Sequence, residues 1–110
     1  MCTLTIAWQV FESHPVVVAA NRDERYDRPS TAPREFRTGS GRRVVAPTDE
    51  EAGGTWIGHN DDGLFVALTN LWVEVPDGER SRGALVRDAL DCAGSEDAAR
   101  MVERELTRTH

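Results

Sequence analysis

The chain has 110 residues and a net charge of −6, from nine Asp and ten Glu against thirteen Arg, and it contains no lysine. An acidic chain without a clustered positive surface is a poor nucleic-acid binder, and the missing lysine excludes Schiff-base and nucleophilic chemistry on a lysine side chain. This length sets one domain as the upper limit, and no apolar run reaches the roughly 18 residues of a membrane span. With no leader-like start either, the expected location is the cytoplasm.

Residues 2 to 10 alternate, with Cys2, Leu4, Ile6, Trp8 and Val10 on one side, which predicts a half-buried strand. "VVVAAN" from Val16 predicts a second, more fully buried strand, paired with the first as a hairpin turning about Ser13. That register sets Ile6 opposite Ala20, Leu4 opposite Arg22 and Cys2 opposite Glu24. Residues 25 to 48 are rich in Arg, Pro, Gly, Ser and Thr and read as loop, with one short strand at Val44 to Ala46.

"TWIGH" and "LFVALTN" flank "NDDG" and predict a second hairpin, pairing Ile57 with Val66, Thr55 with Leu68 and Gly53 with Asn70. "VPDGERS" breaks the strand pattern. Ser81 then caps a helix reaching about Ala93, with Leu85, Ala89 and Cys92 on one face and Gly94 as its stop. Ser95 caps a second helix striped by Ala98, Met101, Val102 and Leu106. Strands followed by helices indicate an α+β fold, antiparallel hairpins packed on helices, with one sheet face left uncovered.

The two hairpin ends collect the residues that could carry chemistry. Loss of Met1 would leave Cys2 with a thiol and an α-amino group on one residue, and the amine can serve as base for its own side chain. Arg22 would favour the thiolate, while Asn70, Gly53 and Gly54 could serve a developing oxyanion. Plain alternatives stand beside each of these. Cys2 could be a small buried hydrophobe, "NRDERYDR" a salt-bridged surface loop, Asn70 a strand end, and Gly53 and Gly54 turn glycines. Cys92 reads as packing. Trp56, Phe65 and Trp72 could line an apolar pocket, although strand aromatics usually belong to a core. His14, His59 and His110 lack ligand spacing, so neither a metal nor another cofactor is expected.

Four ordered segments, "MC", "VVVAANRDERYDRP", "EAGGTWIGHNDDGLFVALTN" and "RSRGALV", resemble the NRDE family, also called the transport and Golgi organization family. The resemblance implies that residues 1–110 are a single NRDE-type domain, truncated relative to longer family members. It further implies part of an αββα sandwich of the N-terminal nucleophile hydrolase kind, which would account for the uncovered sheet face. By that resemblance Cys2 is the nucleophile and base, Arg22 the stabilising cation and Asn70 an oxyanion donor. An Asp three residues after the Arg holds the amine in related hydrolases, and here that position is Arg25. Motif position then favours Asp23 and strand parity Glu24; Asp23 is taken for the role, with Asn21, Glu24, Gly53 and Gly54 as supporting residues.

Two functions follow as expectations. One is a cysteine amidohydrolase acting on a small non-peptide amide through Cys2. The alternative is a non-catalytic binding or trafficking protein for a haem- or lipid-like ligand in secretory-pathway organisation, or an inactive fragment. The expected partner is a small molecule, and a homo-oligomer is left open.

Overall fold

The computed structural model describes residues 2–70 and 81–109. Met1, "VPDGER" and Trp72 lie outside the described residues. Six strands and two helices follow in chain order: β1 Thr3–Trp8, β2 Val16–Asn21, β3 Arg34–Arg37, β4 Arg43–Ala46, β5 Ile57–Asn60, β6 Phe65–Ala67, α1 Arg82–Ala89 and α2 Ser95–Thr109. Strands β1 and β2 form a two-stranded antiparallel ribbon, and β3-β4-β5-β6 form a four-stranded antiparallel sheet. The fold is α+β. The chain divides into two compact units, residues 2–26 with 69–70 and residues 27–68 with 81–109 among those described.

In the first unit the hairpin forms as expected, but its register is displaced by two residues. Ile6 faces Val18, Leu4 faces Ala20, and the ladder ends at Thr3 opposite Asn21. The cause is the connection. Trp8 pairs with Val16 and the Gln9 N–H donates to the Pro15 carbonyl at 2.6 Å, so residues 9–15 form a seven-residue loop centred on Glu12. Gln9 enters it at φ 56°, the left-handed region, and Val10 lies in the loop rather than opposite Val16. The expected burial also fails. Ile6, Trp8, Val16 and Val17 are exposed, and so is most of β2.

The second unit has a conventional core. Val44 and Ala46 of β4 pack with Val86 and Leu90, and Phe36, Val66 and Leu68 close around them. Leu64, Ala89 and Ala98 make a second cluster with Val66, Cys92, Met101 and Val102. Gly58 of β5 gives Leu90 its seat, since a Cβ there would stand 2.8 Å from the leucine Cδ1 and 2.9 Å from the Ala46 Cβ. Helices cover one face of this sheet by burying apolar rows spaced at helical period.

Strand β3 is an addition to the expected pattern, drawn from the stretch read as loop. Its partner β4 includes the expected Val44 to Ala46 strand and starts one residue earlier. The β5–β6 hairpin is one residue out of its expected register, with Ile57 opposite Ala67 and Gly58 opposite Val66. Asn60 is a strand residue whose N–H donates to the Leu64 carbonyl at 3.0 Å, which leaves a three-residue turn ending on Gly63 at φ +83°. Leu68 consequently donates to Trp56 and not to Thr55, and the expected pairing of Gly53 with Asn70 belongs to the unobserved register.

Ser81 caps α1 as its chemistry predicts, its hydroxyl accepting from the Ala84 N–H at 3.1 Å. The helix stops at Ala89, four residues before Ala93, and its buried face is Leu85, Val86 and Ala89. For α2, the Gly94 carbonyl accepts the first helical bond from Ala98. Gly94 therefore holds the cap position, and Ser95 is the first helical residue rather than the cap. Leu106 of the expected stripe is exposed.

Candidate functional site

The ribbon brings Cys2 and the NRDE tetrapeptide to one end by simple antiparallel geometry. Asn21 is the last β2 residue and pairs with Thr3, so Cys2 and Arg22 are the next residues outward on the two strands. Arg22 thus takes the place expected for Glu24. The two-residue displacement preserves strand parity within the ladder, which keeps Leu4, Ile6 and Trp8 on one side with Ala20, Val18 and Val16 and stops short of Cys2, Arg22 and Glu24.

Cys2, Arg22 and Glu24 are partly buried, whereas Asn21 and Asp23 are exposed. The Glu24 carboxylate accepts from the Arg25 backbone N–H at 2.9 Å and lies 3.8 Å from the Arg25 guanidinium. Both cysteines are free thiols. Asn70 is partly buried and belongs to the same unit as Cys2.

The glycine pair is built by different forces. Asp49 organises the turn that contains it: the Gly53 N–H donates to the Asp49 carbonyl at 2.7 Å, and the Asp49 N–H to the Gly54 carbonyl at 2.8 Å. The Asp49 carboxylate accepts from the backbone N–H of Glu51 and Ala52 at 3.0 and 3.4 Å through Oδ1. Its Oδ2 accepts from Arg28 Nη2 at 2.6 Å and Nε at 3.0 Å. Arg28 also reaches Glu51 at 2.9 Å. Burial works against ionisation of Asp49, yet the Arg28 hydrogen bonds, the two backbone donors and the Arg28 charge together hold its carboxyl below the ordinary value.

Gly54 is buried against the first turn of α1. A Cβ at this position would meet the Gly83 backbone and come within 2.6 Å of the Ala84 nitrogen. The Thr55 N–H donates to the Gly83 carbonyl at 3.2 Å in the same contact. Close backbone approach therefore requires a glycine at position 54. Gly53 is exposed, and its carbonyl accepts from Arg87 at 3.2 Å.

Two polar centres were absent from the expected set. Arg28 and Asp49 form the first, and a signal existed for it in "YDRP", which follows NRDE directly. Asn60 is the second. Its side-chain amide donates to the Leu90 and Cys92 carbonyls at 2.9 and 2.8 Å, and its oxygen accepts from the N–H of Asp62 and Leu64 at 3.0 Å each. All four hydrogen-bonding capacities of this buried amide are used, so its work is structural.

Cys92 follows α1 and packs in the second core cluster. Burial, with Asp97 and Asp91 nearby, pushes its thiol above the ordinary value, which opposes thiolate chemistry there. Among the described residues no group of three or more His, Cys, Asp and Glu could hold a metal ion. No described helix is long and apolar enough to cross a membrane.

The family model described as Transport and Golgi organisation 2 matches residues 1–110. The chain belongs to this family. Among its members, the Transport and Golgi organization protein 2 homolog of Bos taurus is 39% identical over 82 residues, and the homolog of Mus musculus is 39% identical over 83. The Homo sapiens homolog is 37% identical over 82 residues. Each match covers 71% of this chain and 29% of the relative, so the chain spans under a third of the length of these family members. No solved structure gives a significant match.

Proposed function

We propose that the protein serves the transport and Golgi organisation that its relatives' names state, and that it does so by holding a small ligand of haem- or lipid-like chemistry without turning it over. The family match along the whole chain supports the transport and Golgi organisation part of this reading. Cys2 and Arg22, next outward from the final ribbon pair, offer a soft sulfur donor and a planar cation. Sulfur suits iron, and a guanidinium suits a carboxylate or phosphate headgroup. The ligand is cargo in this reading, and Asp23, Glu24 and Asn70 tune the charge and polarity around it.

The same strand end supports a second reading, the amidohydrolase. Cys2 opens the strand whose partner runs into Arg22, an arrangement that suits attack by a thiolate on a small non-peptide amide. Asn70 and one of the acids would complete that chemistry.

One pair of measurements separates the two. Haemin and phosphatidylcholine vesicles are titrated into the wild type and Cys2→Ala, and acyl p-nitroanilides of short and long chain are assayed for release of nitroaniline. Binding expects haemin or vesicle affinity with no product from either protein. Nitroaniline release that vanishes in Cys2→Ala would replace binding with hydrolysis. Intact mass adds an independent check, because a retained Met1 removes the amine base that the hydrolase needs.

A further inference from the structure

We infer that Arg42 is the pin of a charge-held latch that fastens the α1–α2 connection to the sheet and keeps Cys92 packed. Residues 90–94 link the two helices, and the N–H groups of Leu90, Asp91 and Cys92 donate back into α1, to the carbonyls of Val86, Asp88 and Ala89. Their own carbonyls accept from side chains of the sheet instead. Asn60 donates to those of Leu90 and Cys92, and Arg42 Nη1 donates to that of Asp91 at 2.8 Å. The negative end of a helix favours a cation. Arg87, the basic residue of the last α1 turn, is engaged elsewhere, on the Gly53 carbonyl and 5.0 Å over the Phe36 ring, so the cation at this end comes from β3–β4.

One guanidinium joins three segments. Arg42 Nε donates to Asp62 Oδ2 of the β5–β6 turn at 2.7 Å, and its Nη1 donates to Ser40 Oγ of its own turn at 2.9 Å. The Ser40 hydroxyl donates in turn to Asp91 Oδ1. Hydrogen bonds from Ser40 and Thr38, with the Arg42 charge, hold the Asp91 carboxyl below its ordinary value, so the latch is charged at neutral pH. The β3–β4 turn is itself fixed, with the Arg42 N–H on Thr38 Oγ1 at 3.1 Å and Gly41 at φ +90°. An isolated surface ion pair contributes little, but a partly buried guanidinium shared among three acceptors forms a network. The connection it fastens carries Cys92, whose side chain packs on the Leu64, Ala89 and Ala98 cluster.

Cys92 reports on the latch because removing Arg42 acts on it in two opposite directions. The Arg42 charge favours the Cys92 thiolate, so loss of the charge alone slows alkylation. Release of the connection exposes the thiol and speeds it. Iodoacetamide alkylation near neutral pH, scored by peptide mapping to separate Cys92 from Cys2, tests this on the 110-residue chain. Arg42→Gln should alkylate at Cys92 about tenfold faster than the wild type, a loss on the scale of one charge-assisted hydrogen bond. Arg43→Gln, which loses a neighbouring guanidinium bonded to Glu35, should match the wild type. Ser81→Ala, which loosens the far end of α1, should accelerate it less than Arg42→Gln does. An Arg42→Gln rate at or below that of the wild type overturns the inference, and so does an acceleration equalled by Arg43→Gln or Ser81→Ala. If Arg42→Gln loses its far-UV circular dichroism, Asp62→Asn decides: faster alkylation with helix content unchanged supports the latch, and an unchanged rate overturns it.

Discussion

The β1–β2 ribbon and the β3–β6 sheet are both antiparallel, and both draw on strands rich in Val, Ala and aromatic residues, yet they meet opposite fates. In the sheet, Val44 of β4 is fully buried, because it packs with Val86 of α1 and with Leu90 at the helix end, itself fully buried. In the ribbon, Ile6 and Trp8 face solvent. Alternation sets which side chains share a side; a packed layer decides whether that side becomes a core. The difference turns on Gly58 and Ser81, which seat and start the helix, more than on the hydrophobicity of either set of strands.

The sharpest way to break this comparison is to truncate one apolar residue in each region. Leu90→Ala should lose about 2–5 kcal/mol in urea denaturation followed by circular dichroism, since it opens a cavity in a closed core. Ile6→Ala should change stability by under about 0.5 kcal/mol, because the side chain it shortens is already open to solvent. Equal losses would mean that the ribbon is covered as thoroughly as the sheet.

Asn60→Ala follows in size, at about 2–4 kcal/mol, because it leaves two carbonyls and two N–H groups without their partner. Ser81→Ala should cost about 1 kcal/mol through the lost α1 cap. A smaller effect emerges only in acid. The folded Asp49 carboxyl titrates below its unfolded value, so as pH falls the unfolded chain takes up the proton first. The stabilisation is complete above the ordinary Asp range, near pH ~3.9, and is lost as pH falls through the lower folded value. Asp49→Asn should therefore flatten stability against pH in that acid window, as read by denaturation at stepped pH.

The parts of this fold visible in the sequence are those decided by neighbours in the chain. Ser81 caps because its hydroxyl reaches an N–H three residues on, and "VVVAAN" bounds β2 because Pro15 precedes it. Strand β3 was hidden because "REFR" has one apolar side chain in a Pro- and Gly-rich stretch, and its pairing with β4 comes from across the turn. The ribbon register slipped because no residue type announced a seven-residue loop with Gln9 at positive φ.

For the candidate site, the nearness of Cys2 to NRDE was legible, since it needs only a hairpin. The reason for Gly54 was not, because it lies in the backbone of a helix 29 residues away at Gly83. Arg28 and Asp49 were missed for the same reason, being joined across 21 residues of sequence.

The Asn60 amide has a kinetic consequence as well as an energetic one. It ties the β5–β6 turn to the carbonyls at the end of α1, so neither can open while the other stays closed without stranding a buried polar group. Hairpin turn and helix terminus therefore form one opening unit. The amide protons of Leu64 and Leu90, distant in sequence, should exchange with solvent through a shared event and at matched free energies.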